Sequence, residues 1–383
     1  MLSKDIFKPG NRKTVLLFAI LISMSVIVIL IMLSDSENYF TPWGDKYRLF
    51  LYTSIGLAIT LTPIIIIACH DRASFPAETG FRHMIKVTFG ALWILDGALQ
   101  LQPEMSYGFL SSVIIPVVSG LPALIQPFFI GIVSEWKNYP VLFDAISAIL
   151  QITIGVGLLL ISRKLLLKSI LLLSIVWGTI VWVLGEGLGG TLTGGASYLS
   201  GFPGSALIYV MVAAILLPDI TDEMAAKIMS AFIFSVFLIS AIEQAMPSNA
   251  YWSGSALSSL AGAMASNIQP VFLQHTISVF STALLANPFV WNAAIVSAFL
   301  IISALWIRSR RIAAWVTAAV SLFVWVFFQD FGIIGGYGTD PNTALPVALI
   351  STALIVYLRS TAERIGSQRK KKIMLRDAGS IRH

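Results

Sequence analysis

Runs of apolar residues long enough to cross a bilayer follow one another along most of this chain, and that pattern confines it to the membrane-helix class. A helix needs about 20 mostly apolar residues to span the hydrocarbon core. Bounded by charges, Pro or Gly, such runs fall at 14–33, 48–69, 84–102, 141–162, 165–185, 204–218, 226–245, 289–307, 312–328 and 343–358, so ten spans are expected. Composition agrees: 57% of the 383 residues are hydrophobic and 11% charged, against about 45–50% and about 25% in soluble domains. Ten crossings and their loops leave no room for a separate soluble catalytic domain. The first run is too long for a signal-peptide core, and Leu33-Ser34-Asp35 is no small-residue cleavage site, so it reads as a retained anchor.

The basic residues fix an expected orientation. Of the 25 Lys and Arg, 22 fall on one side of the ten-span map and 3 on the other, namely Lys46, Arg48 and Lys137. The positive-inside rule then puts both termini in the cytoplasm of a cell-membrane protein. The run Arg369-Lys370-Lys371-Lys372 reads as a topology signal and a contact for anionic lipid, and the expected partner surface is the lipid bilayer, not nucleic acid.

Two apolar stretches, 108–133 and 255–285, are interrupted by Pro, Gly or polar residues and lie on the outer side of that map. They read as re-entrant or interfacial helices, since counting either as a crossing would spoil the charge split. They also resemble each other within a longer correspondence. Gln100 and Pro103 match Gln244 and Pro247. Ile125-Gln126-Pro127 matches Ile268-Gln269-Pro270, and Pro140 to Asp144 matches Pro288 to Asn292. Val181-Trp182-Val183 matches Val324-Trp325-Val326, and Ala206-Leu207-Ile208 matches Ala348-Leu349-Ile350. Landmarks in one order over about 140 residues indicate a tandem duplication. The expected fold is therefore all-α: a polytopic transmembrane helix bundle in which two helices (1–79) precede parallel four-helix repeats at 80–218 and 219–358, with a basic cytoplasmic tail at 359–383.

The first repeat also carries a family resemblance. Phe89-Gly90-Ala91-Leu92-Trp93-Ile94-Leu95-Asp96-Gly97-Ala98-Leu99-Gln100 resembles the opening helix of DoxX-like membrane proteins. The helix Gln151…Gly155-Val156-Gly157-Leu158-Leu159, followed by Arg163-Lys164 and another apolar span, is similar to that family's middle pair. The resemblance implies a four-helix module that serves, in some members, as the membrane subunit of a thiosulfate:quinone oxidoreductase. It brings no catalytic motif that transfers residue by residue.

Chemistry is expected from carboxylates, amides, aromatics and backbone. The single Cys69 excludes an internal disulfide, a CxxC pair and a thiolate-held cluster. The four His lie outside the long runs, so paired axial haem ligands are lacking. A copper site at His275 with Met264, Met246 and Met105 has no supporting spacing, and no metal site is assigned. A charge at mid-bilayer costs about 2.5–3.5 kcal/mol on the insertion scale, which makes Asp96, Asp144, Glu186 and Glu243 informative. Asp96 and Gln100 share a helix face. In the second repeat Asp96, Asp144 and Glu186 are replaced by Ser240, Asn292 and Gln329. One outward site per chain is thus expected in the first repeat, with Asp96, Asp144 and Glu186 as its chemical groups, Gln100, Gln126, Gly189 and Gly190 as ligand contacts, and the second repeat as a structural partner. The stretch 185–197 imitates a phosphate loop but lacks the preceding strand and the following Lys.

Three functions fit these features. One is a membrane subunit of a quinone-linked redox system whose partner protein carries the electrons. The others are a transporter or channel for a small solute or ion, and a structural or assembly subunit.

Overall fold

The computed structural model describes residues 43–70, 80–102, 105–191, 196–267, 269–332 and 338–380, and these contain helices and turns with no β-strand. The expected first span at 14–33 lies outside them. The helices are α1 (Trp43–His70), α2 (Phe81–Gln100), α3 (Met105–Ser119), α4 (Gln126–Asn138), α5 (Pro140–Leu160), α6 (Lys164–Gly185) and α7 (Ser205–Ile215). They continue with α8 (Asp222–Ala245), α9 (Ala256–Ala265), α10 (Val271–Ala286), α11 (Pro288–Arg308), α12 (Arg310–Phe327) and α13 (Ala344–Ser380).

Seven helices among the described residues, α1, α5, α6, α8, α11, α12 and α13, are long and apolar enough to cross a membrane. Helix α2 meets that test only together with α3, which turns away from it by 93°. The run expected as a span at 204–218 forms an 11-residue helix, α7. At 1.5 Å per residue this covers about half the hydrocarbon thickness. The missing length lies before α7, where Gly-containing chain cannot continue the helix. The stretches 108–133 and 255–285 form the short pairs α3–α4 and α9–α10, each set between long helices.

Local chemistry accounts for the helix limits. Pro140 and Pro288 open α5 and α11 at a position where the absent N–H costs nothing. The Thr221 hydroxyl accepts from the Met224 amide, and Asp222 and Glu223 occupy the first turn of α8. At the other end of α7 the Arg82 guanidinium donates to the carbonyls of Ile215 (3.1 Å), Leu216 (2.6 Å) and Leu217 (2.8 Å), which have no partner within the helix. Arg82, Arg163, Lys164, Arg308 and Arg310 lie at helix ends on one side of the bundle. Gln100, Pro140, Gly185 and Ser205 mark the opposite end.

Packing centres on α5, whose apolar window is 72% buried against 17% for α1. Helices α2 and α5 touch backbone to backbone through small residues. A Cβ on Gly155 would meet the Gly90 carbonyl at 2.6 Å and the Ile94 amide at 2.9 Å, and one on Gly97 would meet the Ala148 carbonyl at 3.0 Å. Close approach of this kind is how helices gain contact where lipid removes the hydrophobic drive.

Pairs of hydrogen bonds recur at corresponding positions. Gln100 Nε2 donates to Asp144 Oδ1 at 2.6 Å, and Gln244 Nε2 donates to Asn292 Oδ1 at 2.7 Å. The Trp182 and Trp325 indoles donate to the Pro203 and Pro341 carbonyls, both at 2.8 Å. The Ala206 amide donates to Glu186 Oε1 at 3.1 Å and the Ala344 amide to Gln329 Oε1 at 2.9 Å.

Replacing Gly155 by Val is expected to force α2 and α5 apart and to cost about 1–3 kcal/mol, read as a lowered thermal midpoint in detergent, whereas Gly131→Ala, where nothing lies within 4 Å, leaves it unchanged.

Candidate functional site

A cavity of about 560 Å³ lies at the end of the bundle away from the basic cluster, within the range of about 300–1,000 Å³ typical of small-molecule sites. Its floor is α2, α5 and α7, which contribute Trp93, Asp96, Gln100, Gln151 and Tyr209. One wall is the α3–α4 pair, apolar through Phe109, Ile114, Val117, Phe129 and Val133, and α6 supplies Trp177 and Leu184. The remaining wall is loop: Glu186, Gly189 and Gly190 after α6, and Thr339 and Asp340 before α13. Among the described residues no Lys, Arg or His lines it.

Asp96 and Tyr209 face one another across the floor, and the polar groups there leave buried atoms short of a hydrogen bond. Asp96 is 3% exposed and Tyr209 is 2% exposed. Asp96 Oδ1, the Tyr209 hydroxyl, Gln151 Oε1 and Trp177 Nε1 are buried with no hydrogen bond among the described residues. An unpaired buried polar group costs about 1–3 kcal/mol. Four such groups lining one cavity indicate a surface shaped to be completed by hydrogen bonding to a molecule inside it. They include both donors and acceptors, and the α3–α4 wall offers apolar contact to the same molecule.

Glu186 is placed by glycine. Gly189 has φ +66°, and a Cβ there would stand 2.1 Å from the Pro203 carbonyl. Gly204 has φ +99°, and a Cβ there would stand 2.2 Å from Glu186 Oε2. Only glycine permits both the left-handed backbone and the close approach, and the loop can then fold Glu186 onto the start of α7. Its Oε1 accepts from the Ser205 hydroxyl at 2.6 Å and from the Ala206 amide at 3.1 Å. The resemblance of this stretch to a phosphate loop therefore reflects a carboxylate, not a phosphate, at a helix N-terminus.

Asp340 approaches from the other loop. Its Oδ1 accepts from the Asn342 amide at 2.7 Å and its Oδ2 from the Thr339 hydroxyl at 3.2 Å, and it faces Ser205 as well. Burial, with the Asp340 carboxylate added to it, pushes Glu186 up to about 8. Burial raises Asp340 too.

The structure sorts the residues singled out from the sequence. Asp96, Gln100, Glu186, Gly189 and Gly190 line the cavity. Asp144 does not: it is 1% exposed and spends its oxygens on Gln100 Nε2 (2.6 Å) and the Ser106 hydroxyl (2.8 Å), behind the wall. Gln126 sits at the start of α4, donating to the Val118 (3.2 Å) and Ser119 (3.4 Å) carbonyls, and Glu243 is also outside the lining. The cavity, moreover, is not built from 80–218 alone, since Asp340 and its neighbours come from the loop before α13. The two glycine-bearing loops meet where the Thr343 hydroxyl donates to the Gly201 carbonyl, and the second also reaches the end of α2, where Gln102 Nε2 donates to the Gly338 carbonyl at 3.1 Å. Asp340, Tyr209 and Trp177 do not figure in the sequence-based expectation, and Trp93 and Gln151 enter it only through the family resemblance. Tyr209 follows Ser205 by four residues on one helix face, a usable signal, whereas Asp340 has no local one.

Stability should report the carboxyl pair. The folded chain keeps a Glu186 proton that the unfolded chain loses near the ordinary value of 4.5, so stability declines as pH rises from there to about 8. Thermal midpoints measured across that window are expected to fall, and Glu186→Gln to flatten part of the slope. For Asp144, replacement by Asn reproduces the Gln244–Asn292 arrangement and should be tolerated. Asp144→Leu strands Gln100 and Ser106 and should cost about 1–3 kcal/mol in the same measurement.

No protein-family model matches this chain, and none of the curated proteins or solved structures matches it either.

Proposed function

We propose that this chain is the integral membrane subunit of a quinone-linked redox system, with a DoxX-like unit present twice, and that the cavity holds the quinone head. The carrying observation is the set of unpaired polar groups, Asp96, Gln151, Trp177 and Tyr209, beside an apolar wall. A quinone head has ring oxygens for the former and a ring and tail for the latter, so the residues present fit it. The matched bonds of Gln100 and Gln244, of Trp182 and Trp325, and of Glu186 and Gln329 support the tandem-unit reading. The 22-to-3 split of basic residues supports cytoplasmic termini in a ten-span cell-membrane protein. The cavity then faces the outer side, with α3–α4 and α9–α10 as re-entrant or interfacial pairs.

When bound, the quinone would supply two-electron carrier chemistry, and a partner redox protein would exchange the electrons, since one Cys and four scattered His give the sequence no thiolate cluster or paired haem ligands. The chain's residues hold and orient the ring and keep protons at hand. Trp177 Nε1 and the Tyr209 hydroxyl can donate to ring oxygens. Glu186 and Asp340, with no Lys, Arg or His beside them among the described residues, can store protons at the outer mouth.

Purified in native-lipid particles and extracted, the chain is expected to yield about one quinone per molecule. Gln151→Phe, which copies Phe299 at the corresponding position and fills the cavity, should lose it while the melting curve stays cooperative. A quinone-free, partnerless chain that moves a solute into liposomes would instead make it a transporter.

A further inference from the structure

The end of the bundle opposite the cavity has two turns between long helices, and they handle their charge differently. At the turn from α5 to α6, Lys164 pairs with Asp219 at 3.0 Å, Lys168 lies near the same carboxylate, and Lys86 of α2 donates to the Ile161 carbonyl at 3.1 Å. The protein supplies the partners of these cations itself. At the turn from α11 to α12, Arg308, Arg310 and Arg311 stand together, all exposed. No acid among the described residues pairs with them: Asp219 is taken by Lys164, Glu223 by Lys227 at 2.6 Å and Glu363 by Arg359 at 3.1 Å.

What adjoins these arginines is apolar. Ile312, Trp315 and Leu322 are all exposed, and Trp315 and Leu322 follow Arg311 along one face of α12. An exposed apolar stripe on a spanning helix faces hydrocarbon, and a Trp at its end marks the level of the head groups. The three guanidiniums therefore sit where a bilayer presents its phosphates. A nucleic acid or an acidic peptide could meet the arginines, but it has nothing to lay along the stripe.

We propose that the α11–α12 turn is a binding site for an anionic phospholipid, with Arg308, Arg310 and Arg311 on a head that carries two phosphates and the acyl chains along Ile312, Trp315 and Leu322. Basic pockets between spanning helices hold heads of this kind, and each guanidinium presents a fork of donors that matches a phosphate. The site is separate from the basic run Arg369-Lys370-Lys371-Lys372 and independent of what the cavity holds.

The full chain in a neutral detergent, titrated with tetraoleoyl cardiolipin, phosphatidylglycerol or phosphatidylcholine and followed by native mass spectrometry, gives the test. Cardiolipin is expected to bind more tightly than phosphatidylglycerol, and phosphatidylcholine to bind most weakly. Arg308→Gln, Arg310→Gln and Arg311→Gln together should weaken cardiolipin binding about 100-fold, the combined effect of three basic side chains at a lipid surface. Changing Arg369, Lys370, Lys371 and Lys372 to Gln should leave it in place. If the triple variant does not fold, Trp315→Ala is expected to weaken cardiolipin binding severalfold. Unchanged binding in the triple variant, or in Trp315→Ala where that variant stands in for it, overturns the inference. Loss of binding in the tail variant, displacement of the lipid by millimolar inorganic phosphate, or equal affinity for phosphatidylcholine does the same.

Discussion

Inside an apolar bundle a polar side chain must find its partner within the protein, because lipid supplies none and an unmade hydrogen bond is costly there. Most of this chain obeys that constraint closely. Gln100 with Asp144, Gln244 with Asn292, Trp93 with Ser174 and Trp306 with Thr317 are buried pairs that join one helix to another. Against that background, the places where the rule is broken carry information. Of the ten buried side-chain atoms without a partner among the described residues, Asp96, Gln151, Trp177 and Tyr209 line a single cavity.

The same constraint explains the division between floor and mouth. The floor is set on long helices held by glycine contacts, so Asp96, Gln151 and Trp93 are presented by rigid elements. The mouth is loop, and its carboxyls are held by backbone amides: Ala206 for Glu186 and Asn342 for Asp340. Two carboxyls with Ser205 between them and no base nearby keep a proton more easily than they keep two charges. In a site proposed to handle a quinone, such a pair is a proton reserve at the point of entry.

The meeting of the two glycine-bearing loops gives the proposed duplication a purpose. One loop sends Tyr198 into the core between Phe237 and Phe299, and the other sends Asp340 into the cavity. Each proposed unit thereby completes its neighbour, and the second is more than a structural support for the first. Asymmetry in side chains, with Phe299 where the first unit has Gln151, is enough to make one pocket solid and leave the other open.

The all-helical membrane class and the long apolar helices were legible in the sequence, because apolar period and charge placement are local properties with large energies, and Asp96 and Glu186 stood out as carboxylates in or beside apolar runs. The short α7 was not, since hydropathy counts apolar residues and cannot see that the chain before Ser205 folds back through Gly189 and Gly204. Asp144 looked like Asp96 by the same local measure, and only the position of Gln100 and Ser106 turned it into a structural group. Asp340 and Tyr198 were beyond any local reading: they lie in loops far along the chain from the residues they meet. Which side chains face each other across a cavity depends on how helices and loops pack, and that choice belongs to the tertiary structure.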